Sequence, residues 1–326
     1  MEVSQLVEEM NRAAACSRPF FFMLDYAGRK GHFIASPLSD KTPRILFGIG
    51  RYRNYEAPAG SGTDKAYRFF PPEYADYKSA FDKVQAGLRH GDSFLLNLTF
   101  RSRVETALTL KEIFFRSKAP YKVYLPGEFV CFSPEPFVRL GAGKISAYPM
   151  KGTIRADIPD APRKLQEDYK EACEHATVVD LLRNDLSAVA EKVSVKRYRY
   201  MEKIPTGNGG EIWQSSSRIE GQLPADWKRR LGDIIRTLLP AGSISGAPKT
   251  ATCRLISEVE TSQRGWYTGI CGYFDGEGLD TGVMIRCLSM DADSGLLYFY
   301  SGGGITIHSK AEEEYRELIA KIYLPI

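Results

Sequence analysis

The 326-residue chain has six cysteines, at positions 16, 131, 173, 253, 271 and 287, and none forms a CxxC pair. Zinc-ligand spacing is therefore missing, and a disulfide framework is not expected at this length. Reduced, buried thiols are the expectation. Charge of one sign is also scarce: 44 Lys and Arg against 40 Asp and Glu leave a formal net charge of +4. That balance is too weak to point to a nucleic-acid partner. No stretch approaches the roughly 20 apolar residues that cross a bilayer, so no membrane is expected. The first ten residues are acidic and helix-like, without a basic segment leading into an apolar run. A secretory leader is not read there, and the expected location is cytoplasmic. Repeats and low-complexity linkers are lacking. Pro240 to Lys249 looks like a phosphate loop but lacks its Gly-Lys-Ser/Thr ending. What is present, 43% hydrophobic and 26% charged residues, suits a soluble protein with a sizeable core, read as a single domain over 1–326.

Along the chain, periodicity predicts an amphipathic helix over 2–15, a buried aromatic strand over 19–26, a return strand over 32–35 and a short strand over 45–49. A loop is expected over 54–64, a helix over 75–90, a strand over 93–100 and a short helix over 109–117. Phe129–Phe132 reads as a strand running into Ser133-Pro134-Glu135. A hairpin follows over 137–148 and ends at Lys151. The longest helical pattern covers 163–192, and a strand with alternating charges covers 193–200. Loop and strand are expected over 208–222, helices over 226–238 and 247–259, and strands over 267–274, 282–290 and 296–300. Ser309 with Glu312 three residues on reads as a capping box for a last helix. Strands and helices come in blocks without βα alternation, so the fold class is α+β.

Tyr148-Pro149-Met150-Lys151-Gly152-Thr153 is the stretch around which the chain is organised. Lys151 is either a solvated charge at a turn or a held amine that does chemistry, and Gly152 permits close backbone approach. Glu317 and Lys321 share a helix face at i, i+4, as a surface ion pair or a site pair. Glu174 lies mid-helix and His175 beside it reads as a packed histidine. Glu135 sits between prolines. Two glutamates on separate helices can share Mg2+, which takes carboxylates with water and an anionic ligand. Gly302-Gly303-Gly304 is an anion-binding nest or a plain turn. Arg286, read as mid-strand, meets solvent, a carboxylate side chain or a ligand carboxylate. Lys196 to Tyr200 interleaves basic and aromatic residues, as a solvated strand or a nucleic-acid surface.

These segments, in this order, resemble the chorismate-utilising enzymes. The resemblance rests on Ser133-Pro134-Glu135, Pro149 to Thr153, Glu174-His175 with Val179 to Leu186, and Pro240 to Lys249. Gly265 to Gly269, Asp280 to Arg286, Gly302 to Ile305 and Glu314 to Glu317 complete it. It covers about residues 75–326, and residues 1–74 match only loosely. It implies a β-sandwich-like core of antiparallel sheets flanked by helices, with the site in a cleft between sheets. Lysine before Gly-Thr, as at Lys151, resembles the branch that aminates chorismate at C4. Alanine there marks the anthranilate branch. Leu95 stands where isochorismate and salicylate synthases carry a base lysine.

The implied roles are Mg2+ on Glu174 and Glu317, Glu135 as general acid and Lys151 as a nucleophile kept neutral by burial and nearby cations. Gly152, Thr153, Ser243, Tyr267, Arg286, Lys321 and Gly302 to Gly304 would bind substrate. Ammonia would come from a separate glutamine amidotransferase, since no Gly-x-Cys-x-Gly elbow occurs here. Gln214 replaces a histidine of many members. No tryptophan-binding motif is found, so feedback inhibition by tryptophan is not expected.

Overall fold

The structure, a computed structural model, describes residues 1–58, 66–205 and 210–325. The loops expected over 54–64 and from 208 fall partly outside the described residues. Helix α1 (Val3–Ala15) is followed by strands β1 (Phe20–Leu24), β2 (Gly31–Ala35), β3 (Leu46–Ile49), β4 (Tyr52–Arg53) and β5 (Tyr67–Phe70). Helix α2 (Tyr74–His90), β6 (Leu95–Thr106), α3 (Leu110–Arg116), β7 (Tyr121–Leu125) and β8 (Phe129–Ser133) come next. Then follow β9 (Pro136–Gly141), β10 (Lys144–Ala147), β11 (Met150–Arg155), α4 (Ala161–Glu167), α5 (Tyr169–Ser187), β12 (Glu191–Pro205) and β13 (Glu211–Gln222). The chain ends with α6 (Leu231–Leu238), β14 (Gly246–Ala247), α7 (Lys249–Val259), β15 (Ile270–Phe274), β16 (Leu279–Val283), β17 (Cys287–Met290), β18 (Leu297–Ile305) and α8 (Ala311–Ala320).

Two antiparallel sheets result. One runs β11-β13-β10-β9-β16-β15-β1-β2, with β12 also on β13; the other runs β14-β6-β18-β17-β8-β7-β3-β4, with β5 on β6. The run Phe20-Phe21-Phe22-Met23-Leu24 is apolar at every position because β1 is covered on both faces. Phe20, Phe22 and Leu24 point to the cluster under α1, α5 and α6, whereas Phe21 and Met23 point to the other sheet. There Phe21 stacks on Phe47 at 4.3 Å and 10°, which ties the sheets together. Helix α3 covers the outer face of the second sheet, and α2, α7 and α8 cover its β6–β18 end. The class is α+β, as the sequence indicated.

Several boundaries differ. The helix expected over 163–192 breaks at Asp168, which ends α4 and caps α5 by accepting the Glu171 N–H at 2.9 Å. Its end belongs to β12, an edge strand, in keeping with the solvated-strand reading of 196–200. The capping box expected at Ser309 is absent. Lys310 is the N-cap, and the Ser309 hydroxyl donates instead to Glu314 Oε1 at 2.8 Å. The strand expected over 282–290 is two strands of different sheets, β16 and β17. Cys131, Cys271 and Cys287 are buried thiols, but Cys16 and Cys173 are exposed. Among the described residues, no helix is long and apolar enough to cross a membrane.

Candidate active site

Two crossings between the sheets lie side by side and define the cleft. Residues 134 and 135 carry the chain from β8 to β9, and residues 284 to 286 carry it from β16 to β17. They are laced together: Val283 N–H donates to Glu135 O at 3.1 Å, and Phe132 N–H to Arg286 O at 3.0 Å. Arg286 is therefore not mid-strand. It sits at the turn with a left-handed φ of +55°, a costly conformation for a non-glycine residue. Its Nη1 donates to Lys321 O at 2.6 Å, and its buried Nε has no partner. A buried donor without a partner is costly, and an incoming carboxylate would satisfy it.

Glu135 accepts the Ser243 hydroxyl at 2.9 Å. Burial raises the pKa of its carboxyl above the ordinary range, against the lowering pull of Ser243, Arg286 and Lys321. A carboxyl that holds its proton more tightly than usual suits a general acid. Gly302 to Gly304 form neither a nest nor a turn: they lie in β18 opposite Thr99, Leu98 and Asn97 of β6. Strand β17 pairs with β18 only as far as Tyr300. Beyond it the other edge is open to the cleft, and Lys321 Nζ donates to Gly302 O at 2.8 Å. Side chains there would fill the space: a methyl group on Gly303 would stand 3.5 Å from Glu314 Oε2 and 3.7 Å from Lys321 Nζ.

Lys151 lies in β11, where a bulge between Met150 and Thr153 shifts the register. Gly152 takes φ +87° at the bulge, and a methyl group there would meet Glu171 Oε2 at 2.8 Å. Lys151 Nζ pairs with Glu174 Oε2 at 2.7 Å. The expected neutral amine is not what this environment favours. Burial pushes its pKa down, but Glu174, Glu317 and Glu171 outweigh burial and hold Lys151 protonated. Lys321 pairs with Glu317 at 2.7 Å. Burial, with Arg286 and Lys151 nearby, pulls Lys321 below the usual lysine value despite Glu317. Thr153 is exposed and lies opposite Gln214 in the ladder. Tyr267 is buried, stacked on Tyr300 at 5.2 Å, with its phenol pushed up to about 12 by burial. It precedes β15 and packs in the cluster between the two sheets.

The chorismate binding enzyme family matches residues 38–325. The chain belongs to that family. An uncharacterized PabA-like protein of Haemophilus influenzae is 45% identical over 99% of this chain and 97% of its own length. The aminodeoxychorismate synthase component 1 of Salmonella typhimurium is 34% identical over 76% of this chain, which spans 56% of that protein. The menaquinone-specific isochorismate synthase of Escherichia coli superposes with a TM-score of 0.71 over 98% of this chain and 80% of its own, at 16% identity, a likeness of fold.

Within this chorismate-binding fold, the sequence reading missed two carboxylates. Glu171 precedes Glu174 by three residues on α5, and Glu314 precedes Glu317 by three on α8. The signal was the repeated Glu-x-x-Glu, which puts each pair on one helix face. Burial raises the pKa of both Glu171 and Glu314, and buried Glu171 Oε2 has no partner. The sequence also hid His175's role. It is buried, with Nε2 2.7 Å from Ser217 Oγ and Nδ1 3.3 Å from Lys151 O. Burial lowers its pKa, so the ring is neutral.

No three His, Cys, Asp or Glu side chains among the described residues already stand together as a metal cage. The lysines meet the carboxylates instead. The donor chemistry nonetheless fits Mg2+: four carboxylates on two helices, one with a buried oxygen left unpartnered.

Proposed function

We propose that the protein aminates chorismate at C4, giving 4-amino-4-deoxychorismate. Lys151 carries this reading: an amine held in the cleft within electrostatic reach of the site carboxylates, at the position that sets this branch apart. Leu95 supports it against isochorismate formation, because an alkyl chain cannot activate water, and it packs beside Gly304. The likeness to the Salmonella synthase points the same way. All of these elements belong to one catalytic domain spanning 1–326.

In this mechanism Arg286 Nε and the open edge of β18 receive the substrate carboxylates. Lys151, once deprotonated, attacks C2. The ring π bonds shift from C1=C2 and C5=C6 to C1=C6 and C4=C5, and the C4 hydroxyl departs as water with the Glu135 proton. Ammonia then adds at C4, the π bonds shift back, and Lys151 leaves C2 with a proton restored. Glu174 and Glu317, with Glu171 and Glu314 beside them, would hold Mg2+. The ion would supply positive charge against a substrate carboxylate.

Glu174→Gln and Glu317→Gln remove ligand charge at nearly constant shape. Each is expected to weaken Mg2+ binding at least about tenfold, read by calorimetric titration alongside turnover at limiting Mg2+. Unchanged affinity for either variant would strike that residue from the ligand set. Ammonia delivery falls to a separate amidotransferase. The purified chain should use ammonium salts at raised pH, where free ammonia is abundant, but not glutamine, and adding the cognate amidotransferase should confer glutamine use. Glutamine-dependent turnover by this chain alone would reveal a second site here.

A further inference from the structure

We propose that His175 is a positioning residue for Lys151, acting through the Lys151 backbone carbonyl. The inference rests on the reading of Lys151 as the nucleophile. The hydrogen bonds have only one consistent direction. Lys151 O can only accept, so His175 Nδ1 carries the ring proton and donates to it at 3.3 Å. In the neutral ring Nε2 must then accept, and Ser217 Oγ donates to it at 2.7 Å. Ser217 Oγ is left with a lone pair, which takes the Arg199 N–H at 2.9 Å. Arg199 is itself anchored. Its backbone takes a left-handed φ of +46°, and its guanidinium donates to Leu165 O at 2.9 Å and Gln166 O at 3.1 Å at the end of α4. One directed chain of donors therefore runs from the Arg199 N–H on β12 through Ser217 on β13 and His175 on α5 to Lys151 O, with Arg199 itself anchored on the α4 carbonyls.

The chain ends where it has the most effect. The bulge at Gly152 is the least regular part of β11, and ladder bonds do not hold its register there. His175 supplies the missing hold on the residue before the glycine. Released, that residue can follow the regular ladder, which turns the Lys151 side chain away from Glu174. His175 touches no reacting atom in this account.

The test uses two replacements that divide the imidazole's work. In His175→Asn the side-chain amide lies where Nδ1 was and can still donate to Lys151 O. In His175→Gln it reaches the Nε2 position and serves Ser217 instead. The first readout is reductive methylation of Lys151 with formaldehyde and cyanoborohydride, quantified by peptide mass without substrate. His175→Gln should methylate about fivefold faster than wild type, the population shift of one lost hydrogen bond, and His175→Asn should stay near wild type. The second readout is the chorismate adduct on Lys151 after rapid quenching without ammonia. His175→Gln should lose adduct with chorismate KM little changed, and His175→Asn should rescue it. A merely structural histidine would make the two variants equally altered in both readouts, and that result overturns the proposal. So does a Gln variant that methylates as slowly as wild type. An adduct missing from wild type, with the methylation contrast intact, would sink the nucleophile reading and leave the positioning role standing.

Discussion

Lys151→Ala is expected to abolish the covalent intermediate and to lower C4 amination by about three or more orders of magnitude, the scale on which a lost nucleophile acts. Wild-type protein, mixed with chorismate and Mg2+ without ammonia and quenched rapidly, should gain the mass of chorismate less one water. The alanine variant should show no gain. The cleft would otherwise persist. Arg286 is fixed by Lys321 O, Glu135 by Ser243, and the open edge of β18 by its pairing with β6. With the amine gone, C2 is exposed to ammonia itself, and the variant should turn part of its flux to a C2-aminated product, separable by mass and absorbance. An unshifted wild-type mass together with a fully active alanine variant would remove Lys151 from the chemistry.

Lys151 also marks how far the sequence could be read. Its neighbours announced a site, because Lys-Gly-Thr after a hairpin is a pattern local in the chain. The protonation state was not legible, since Glu174, Glu171 and Glu317 reach Lys151 from two other helices. Arg286 shows the same limit in the backbone. Val283-Met284-Ile285-Arg286-Cys287-Leu288 is uniformly apolar around one arginine, so it reads as one strand. Periodicity cannot reveal that β16 and β17 belong to different sheets, because both are buried on both sides. The glycines were misread for a related reason. Three in a row signal a turn on propensity alone, but tertiary pairing with β6 holds them extended, and their missing side chains make room at the cleft. The aromatic run of β1 was legible because it is short, apolar and buried at every position, and the helix over 74–90 because its buried residues repeat with the helical period. His175 was legible as a packed residue. Its partner Ser217 lies 42 residues away on another strand, beyond any local pattern.

Glu135→Gln is expected to cost a factor of about 10² to 10⁴ in kcat, the usual contribution of a positioned general acid, while leaving chorismate affinity within a few-fold. Glutamine keeps the shape and can still accept from Ser243, but it has no proton to give to the leaving hydroxyl. The pH profile separates this loss from a folding defect. Burial raises the carboxyl's pKa, so wild-type activity should fall as pH rises through that raised value and the acid ionises. Ser243→Ala removes a donor that favours the ionised form, so it should move this fall to higher pH. In Glu135→Gln, stability near neutral pH should move in the opposite sense from activity. A carboxyl whose folded pKa lies above its unfolded one favours folding fully below the unfolded pKa, and that contribution is lost as pH rises through the folded value. Glutamine carries no such penalty at neutral pH. The variant should therefore melt no lower than wild type at pH 7, and the difference should fade in acid below about pH 4, where the unfolded carboxyl is also protonated. A variant that is less stable at pH 7 and loses chorismate binding along with kcat would make Glu135 a structural carboxylate, and the proton for the leaving hydroxyl would have to come from elsewhere.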